Sequence, residues 1–294
     1  MDLGLCGCSV YYDQEMGSAS VPLTPNAEIV LARRYLRRDQ HGNVVETPAE
    51  LFARVAAVVA AADRSYGASE PEVAELAARF ERRMSSLSFL PNSPTLMNAG
   101  RPEGQLAACF VVPVEDSTTG IFDAVKSAAL IQKTGGGTGF SFSGLRPGGD
   151  LVASTGGIAS GPIAFMQVFD VATEVVKQGG TRRGANMGVL RVDHPDILDF
   201  IALKLDPTKM RNFNLSVAAT DEFMRALAED GEYRLVNPRS GEVVRSLSAK
   251  RVYDLIANAA WTIGDPGLVF IDRMNQEHPA SHLGRIDATN PCGE

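Results

Sequence analysis

Hydrophobic positions along the chain change their period once, and that change divides it. Up to about residue 46 they keep no steady spacing and run into the polar stretch RRDQHGNVVE. Thr47, Pro48 and Glu50 then combine a capping box with proline at the first helical position. Leu51, Phe52, Val55, Val58, Val59 and Ala62 fall on one helical stripe, which Gly67 ends. Ser69 and Glu72 repeat the capping box, and Leu76, Phe80, Met84 and Leu87 line one face of the helix that follows. Residues 1–90 are expected to form a helical domain.

Beyond residue 105 short apolar runs alternate with helical patterns. QLAACFVVPV reads as a buried strand, being an apolar run with β-branched residues, GFSFSGL as a short strand, and NMGVLRV, NFNLSVAAT and LVFID as the strands that continue the alternation. Between them, GIFDAVKSAALIQK, residues 162–178, HPDILDFIALKL, DEFMRALAEDG and the segment after Ser248 read as helices. Such alternation predicts an α/β fold with about five parallel strands over residues 91–294.

Composition narrows the class. The chain has 294 residues, 45% of them hydrophobic and 21% charged, with a formal net charge of −7. Those values exclude disorder, collagen and coiled coil, and they allow a sizeable core. The acidic balance argues against nucleic-acid binding by electrostatics, while leaving mononucleotides possible. No apolar run reaches the ~20 residues needed to cross a bilayer, and the N-terminus has neither the basic nor the apolar region of a secretory signal. Four scattered cysteines make no disulfide framework. A reducing, cytoplasmic setting without membrane contact is expected.

Several candidate sites have two readings. Gly135, Gly136, Gly137 and Gly139 invite a phosphate loop, yet no Walker lysine or GxGxxG spacing is present, and a helix cap with a turn is the default. Asp116 and Ser117 precede a helix: either they cap it, or the acid accepts a ribose hydroxyl while the helix start attracts phosphate. KQGGTRRG, residues 177–184, is either an anion-reading loop or a solvated turn. His278 and His282 stand four apart, but Pro279 lies between them and no HExxH is present, so they read as surface residues. Cys6 and Cys8 are too close for a CxxC knuckle, and no GxSxG elbow occurs. In Asn290-Pro291-Cys292-Gly293-Glu294 an amide and a carboxylate flank a thiol at i−2 and i+2, on one side of an extended segment.

With these residues quoted, the chain resembles the catalytic subunit of class II ribonucleotide reductases, the adenosylcobalamin-dependent kind. The likeness runs through FLPNSPTLMNAG, LAACFVVPVEDS, KTGGGTGFSFSGLRP, KQGGTRRGANMGVLRVDHPDILDFI, NFNLSV, DPGLVFIDRMN and NPCGE, in the family's order, over residues 85–294. NSPTLMNAG and NPCGE are similar to the cobalamin class rather than the iron-dependent one.

The resemblance implies an N-terminal helical domain followed by half of a ten-stranded α/β barrel. It implies that Cys292 becomes a thiyl radical and takes the 3′-hydrogen of a ribonucleoside diphosphate, with Glu294 as base and Asn290 holding the ribose. Cys109 would be one of two reducing thiols, restored by a dithiol reductant. Ser93, Ala108 and Gly137 would touch substrate, several through backbone. Asp116, Ser117 and Arg146 would form the site for a deoxynucleoside triphosphate effector at a homodimer interface. Lys177, Gln178, Gly179, Gly180, Thr181, Arg182 and Arg183 would carry effector identity to the substrate base.

No ATP-cone pattern is found, so no overall activity site is expected. At Glu294 the implied barrel is half built, without the partner of Cys109, much of the cobalamin surface and the tail cysteines. The expectation is a split or truncated enzyme that needs a second polypeptide carrying the C-terminal half and is inactive alone. The alternative is a non-catalytic, dimerising regulatory module that binds deoxynucleoside triphosphates.

Overall fold

The structure, a computed structural model, describes residues 21–102, 104–152, 156–177 and 184–293. It divides into two compact units, the first ending at Pro91 and the second beginning at Asn92. Cys6 and Cys8 lie outside the described residues.

The first unit holds helices α1 (Pro25–Arg34), α2 (Pro48–Ala60) and α3 (Glu70–Ser85), with a 3-10 turn, Ala61–Tyr66, after α2. Both expected capping boxes form, Thr47 with Glu50 and Ser69 with Glu72. Gly67, at φ 91°, ends the 3-10 turn rather than α2 itself. Leu51, Phe52, Val55, Ala56 and Ala60 are the buried side of α2, while Val59 is exposed. One further expectation needs correction. α3 stops at Ser85, and Leu87 sits beyond it at φ 58°, exposed rather than on the helical stripe. The aperiodic stretch contains α1, capped by Thr24 but with no buried residue, so no hydrophobic period marks it. Before α2, the Glu46 carboxylate takes the Arg54 guanidinium at 2.6 and 3.0 Å and the Arg37 N–H at 3.0 Å. Burial opposes its ionisation, but these donors outweigh that and hold the carboxyl below its usual range.

The second unit starts with α4 (Ser93–Asn98) and β1 (Cys109–Val111), then α5 (Thr118–Lys133) and β2 (Gly137–Ser141). A small hairpin, β3 (Leu151–Val152) with β4 (Gly157–Ile158), leads into α6 (Gly161–Lys177) and β5 (Asn186–Arg191). α7 (Ile197–Ala202), β6 (Phe213–Ala219) and α8 (Asp221–Ala228) follow. Next comes an antiparallel hairpin that the pattern reading lacks, β7 (Glu232–Val236) with β8 (Val243–Ser248). α9 (Ala249–Ile263), β9 (Gly267–Phe270) and α10 (Ile271–Gln276) complete the unit.

Five strands form one parallel sheet in the order β1-β2-β5-β6-β9. That order follows the chain, so each crossover returns on the same side. Thr138, Phe140, Leu190, Phe213, Leu215, Val217 and Ala219 point to that side and meet Ala124 of α5, Met166 and Phe169 of α6, Phe200 of α7, Phe223 of α8 and Val252 of α9. Phe140, Phe142, Phe169 and Phe213 stack there with ring centroids 4.7 to 6.2 Å apart. The opposite face carries Met187, Val189 and Ala218, covered by Ile271, Ile286 and Ala288. A singly wound parallel sheet with its crossover helices on one face is the geometry of half an α/β barrel.

Candidate functional site

The face of the sheet opposite the crossover helices gathers the catalytic candidates. Because strand side chains alternate, Cys109, Gly137, Gly139 and Asn214 share this face. Cys109 pairs with Gly137 in register, and its Sγ would lie 3.5 Å from a Cβ on that glycine.

The C-terminal segment lies across the same face. A Cβ on Gly137 would come within 2.9 Å of Pro291 Cγ. On Gly139 it would overlap the Thr289 carbonyl oxygen and reach 3.0 Å from Asn290 Cα. Asn214 Nδ2 donates to the Pro291 carbonyl at 2.9 Å. Residues 289–291 are therefore bedded on β2 and tied to β6. Pro291 is buried and Asn290 half-buried, while Cys292 is exposed. The arrangement brings a thiol-bearing segment onto the face that already holds the Cys109 thiol. Glu294 lies outside the described residues.

α4 is tied to the segment that leads into β1. Its cap Asn92 accepts from Thr95 N at 2.9 Å, and Thr95 Oγ1 donates to the Leu106 carbonyl at 2.8 Å. Asn98 Nδ2 donates to the carbonyls of Gln105 and Thr134, at 3.0 and 2.9 Å. Ser93, the first residue of α4, thus stands on a helix fixed to the lead-in of β1. The Ala108 carbonyl accepts from Gly137 N at 2.8 Å, so these two candidates meet through backbone.

A second cluster forms at the start of α5. Ser117 caps that helix, its Oγ accepting from Gly120 N at 3.0 Å. Asp116 does not cap; its carboxylate takes the Arg146 guanidinium, with Nε–Oδ2 and Nη2–Oδ2 both 2.8 Å, and the Arg146 N–H at 3.2 Å. Both side chains remain about a fifth to a quarter exposed, at 25% and 20%, so each keeps room for a further polar ligand. The segment carrying Arg146 is pinned by buried His194, whose Nε2–H donates to the Leu145 carbonyl at 2.9 Å while Nδ1 accepts from Asp196 N at 3.0 Å. Burial pushes the His194 pKa down, against the Leu145 carbonyl and the charges of Asp196 and Asp193. Asp196 Oδ2 also accepts from Gly148 N at 2.8 Å.

Lys177 ends α6; Gln178, Gly179, Gly180, Thr181, Arg182 and Arg183 lie outside the described residues. The glycine cluster divides by role. Gly135, at φ 90°, makes the turn after α5, whereas Gly137 and Gly139 are strand residues whose missing side chains admit the C-terminal segment. Sequence reasoning missed Asn214 and His194. For Asn214 the signal is an amide between Phe213 and Leu215 in an otherwise apolar strand.

Residues 107–294 match the ribonucleotide reductase barrel domain and residues 22–104 the all-alpha domain of the same enzyme. The chain belongs to the ribonucleotide reductase family. Among relatives, the vitamin B12-dependent ribonucleoside-diphosphate reductase of Thermoplasma acidophilum is 44% identical, across 92% of this chain and 42% of that protein. The enzyme of the same name from Mycobacterium tuberculosis (strain CDC 1551 / Oshkosh) is 52% identical, across 91% of this chain and 39% of that protein. Ribonucleoside-diphosphate reductase large chain 2 of Saccharomyces cerevisiae is 30% identical, across 90% and 32%. The chain thus spans 42% and 39% of the two B12-dependent relatives. No helix among the described residues is long and apolar enough to cross a membrane.

Proposed function

We propose that this chain is the N-terminal part of a cobalamin-dependent reductase that converts ribonucleoside diphosphates to 2′-deoxyribonucleotides. The observation that carries the reading is the bed of Gly137 and Gly139, which seats Thr289–Pro291 on the face where Cys109 stands. A regulatory module that only bound nucleotides would have no use for such a seat.

Substrate lies against this face. Asn290 holds the ribose hydroxyls, and Ser93, Ala108 and Gly137 line the approach. Cys292, having given up its S–H hydrogen atom, takes the 3′-hydrogen of the ribose, while Glu294 accepts the 3′-hydroxyl proton. The 2′-hydroxyl leaves as water. Cys109 and a second thiol outside this chain supply the two reducing equivalents and become a disulfide, which a dithiol reductant reopens. The 3′-hydrogen then returns from Cys292. Adenosylcobalamin bound nearby would supply the organic radical that starts the cycle. The residues present fit that group at one point, since Cys292 is exposed.

A deoxynucleoside triphosphate binds near Asp116, Ser117 and Arg146, the acid suiting a sugar hydroxyl and the arginine a phosphate. Residues 177–183 read its identity to the substrate. The homodimer forms over the adjoining helices α5 and α6. Their exposed apolar side chains Phe122, Leu130, Val171 and Val175, 51 to 65% accessible, support this. Among the described residues the sheet is open, with β1 and β9 at its edges. A second five-stranded half, as a chain continuation or a second polypeptide, closes it. Thiols that cycle between reduced and oxidised forms suit the cytoplasm. In an enzyme with a complete barrel, Cys292→Ser should abolish turnover and leave effector binding intact; appreciable reductase activity in that variant would overturn the reading.

A further inference from the structure

One uncharged polar cluster interrupts the aromatic and aliphatic interface between helices and sheet. Gln132, Thr138, Thr173 and Asn186 are 3, 0, 2 and 0% exposed. Gln132 Nε2 donates to Thr138 Oγ1 at 2.9 Å and to Asn186 Oδ1 at 2.8 Å. Thr138 Oγ1 donates to Asn186 Oδ1 at 2.8 Å, and Asn186 Nδ2 donates to Thr173 Oγ1 at 2.8 Å.

The four residues come from four elements, each of which leads somewhere. Gln132 closes the helix whose other end holds Ser117 beside Asp116. Thr138 lies between Gly137 and Gly139, the two glycines that bed Thr289–Pro291 on the other face of β2. Thr173 and Asn186 stand on either side of the KQGGTRRG stretch, in α6 and at the start of β5. Gly184, the last residue of that stretch, packs so closely on Gln132 that a Cβ would lie 3.2 Å from its amide.

Apolar residues of similar shape would fill this space at little or no loss of stability. What they would lose is direction. Hydrogen bonds between fixed amides and hydroxyls hold one register, whereas aromatic contacts tolerate sliding. We propose that Gln132, Thr138, Asn186 and Thr173 are positioning residues that couple the effector end of α5 to the β2 strand under the catalytic segment, and so set how the effector selects the substrate. This rests on the effector reading of Asp116, Ser117 and Arg146.

Thr138 gives a clean test, because Thr138→Val keeps the shape and loses the hydroxyl, while Thr138→Ser keeps the hydroxyl and loses a methyl. In enzyme with a complete barrel and cobalamin, kcat/KM would be measured for a purine and a pyrimidine ribonucleoside diphosphate under each of the four deoxynucleoside triphosphates. Thr138→Val should cut the effector-driven change in the substrate ratio about tenfold, with effector affinity nearly unchanged, and Thr138→Ser should keep that change. A full ratio change in the valine variant would overturn the proposal. So would a uniform fall in kcat across all pairs, or losses in both variants that track melting temperature. Effector binding that ignores loss of both Asp116 and Arg146 would instead sink the effector reading. A wild-type enzyme whose substrate ratio ignores every effector would sink both.

Discussion

The carbonyl oxygen of Thr289 rests on the Cα of Gly139, in the space where any other residue would carry its Cβ. Gly139 has no left-handed backbone to excuse it; it lies in the middle of β2, paired with Met187. Its requirement for glycine is therefore steric and comes from a segment 150 residues further on. The neighbouring pair repeats the relation, with Gly137 under Pro291. Two glycines on one face of one strand thus decide how deep the cysteine-bearing segment sits.

Gly139→Ala is the direct probe. The methyl must displace Thr289 and Asn290, because the atoms it meets are backbone and cannot rotate away. Overpacking of this kind costs about 1–3 kcal/mol. A shift of about 1 Å in a reacting segment costs on the order of 100-fold in rate. Turnover of the complete enzyme should fall by roughly that factor while effector binding, measured by calorimetry, is unchanged. Near-normal turnover would show that the seat does not govern catalysis.

Asn214 tests the other anchor. Its amide holds the Pro291 carbonyl from β6, so Asn214→Leu removes the tie and leaves that carbonyl to find water or go without. A lost hydrogen bond of this type costs about 1 kcal/mol in stability. The larger expected effect is kinetic, a fall in kcat with the substrate KM little changed, since the segment proposed to carry the radical is loosened. Unaltered kcat would remove Asn214 from the positioning set.

For the effector cluster, the pairing of Asp116 with Arg146 has a consequence. On the proposed reading, either single replacement leaves a partner that can still bind, whereas loss of both removes the proposed sugar acceptor and phosphate donor together. Asp116→Ala with Arg146→Ala should weaken deoxynucleoside triphosphate binding by about 3 kcal/mol, more than 100-fold, from two charge-assisted contacts of 1.5–3 kcal/mol each. Calorimetry with the four triphosphates decides it, and unchanged affinity would place the effector elsewhere.

The central strands β2, β5 and β6 were legible because they are buried on both faces, and the less buried edge strands β1 and β9 because they too are short apolar runs. Helix starts at Pro48 and Glu70 were legible because capping boxes are local chemistry. α1 buries nothing, so no hydrophobic period betrays it. The β7–β8 hairpin is half-exposed; its signal is the alternation of buried Tyr233 and Leu235 with exposed Glu232 and Arg234. The site was legible only through the family resemblance. Taken residue by residue, Gly137 and Gly139 look like part of a turn, and Asn290, Pro291 and Cys292 like any loop. Their meaning arises from an approach between strand and distant segment, which spacing along the chain does not encode. Asn214 gains its role from register alone, and His194 from the carbonyl it meets.

His194 supplies a prediction about pH. It is held neutral, with its pKa below the ordinary histidine value, because burial disfavours the imidazolium more than the Leu145 carbonyl and the carboxylates of Asp196 and Asp193 favour it. Between the ordinary histidine pKa of about 6.5 and the lowered folded value, the unfolded chain binds more protons than the folded one. Stability from this residue is therefore fully present above that window, falls as pH drops through it, and levels off below the folded value. His194→Gln can donate to the Leu145 carbonyl and accept from the Asp196 N–H without titrating. Melting temperatures of both proteins between pH 8 and 5 should converge as pH falls, the wild type losing its advantage from about pH 6.5 downward. The folded protein keeps His194 neutral across that window, so the Arg146-bearing segment, tied to this histidine through Leu145, should stay in place, and wild-type effector affinity should not follow the fall in melting temperature. Parallel melting profiles for the two proteins would show that His194 carries no linked proton.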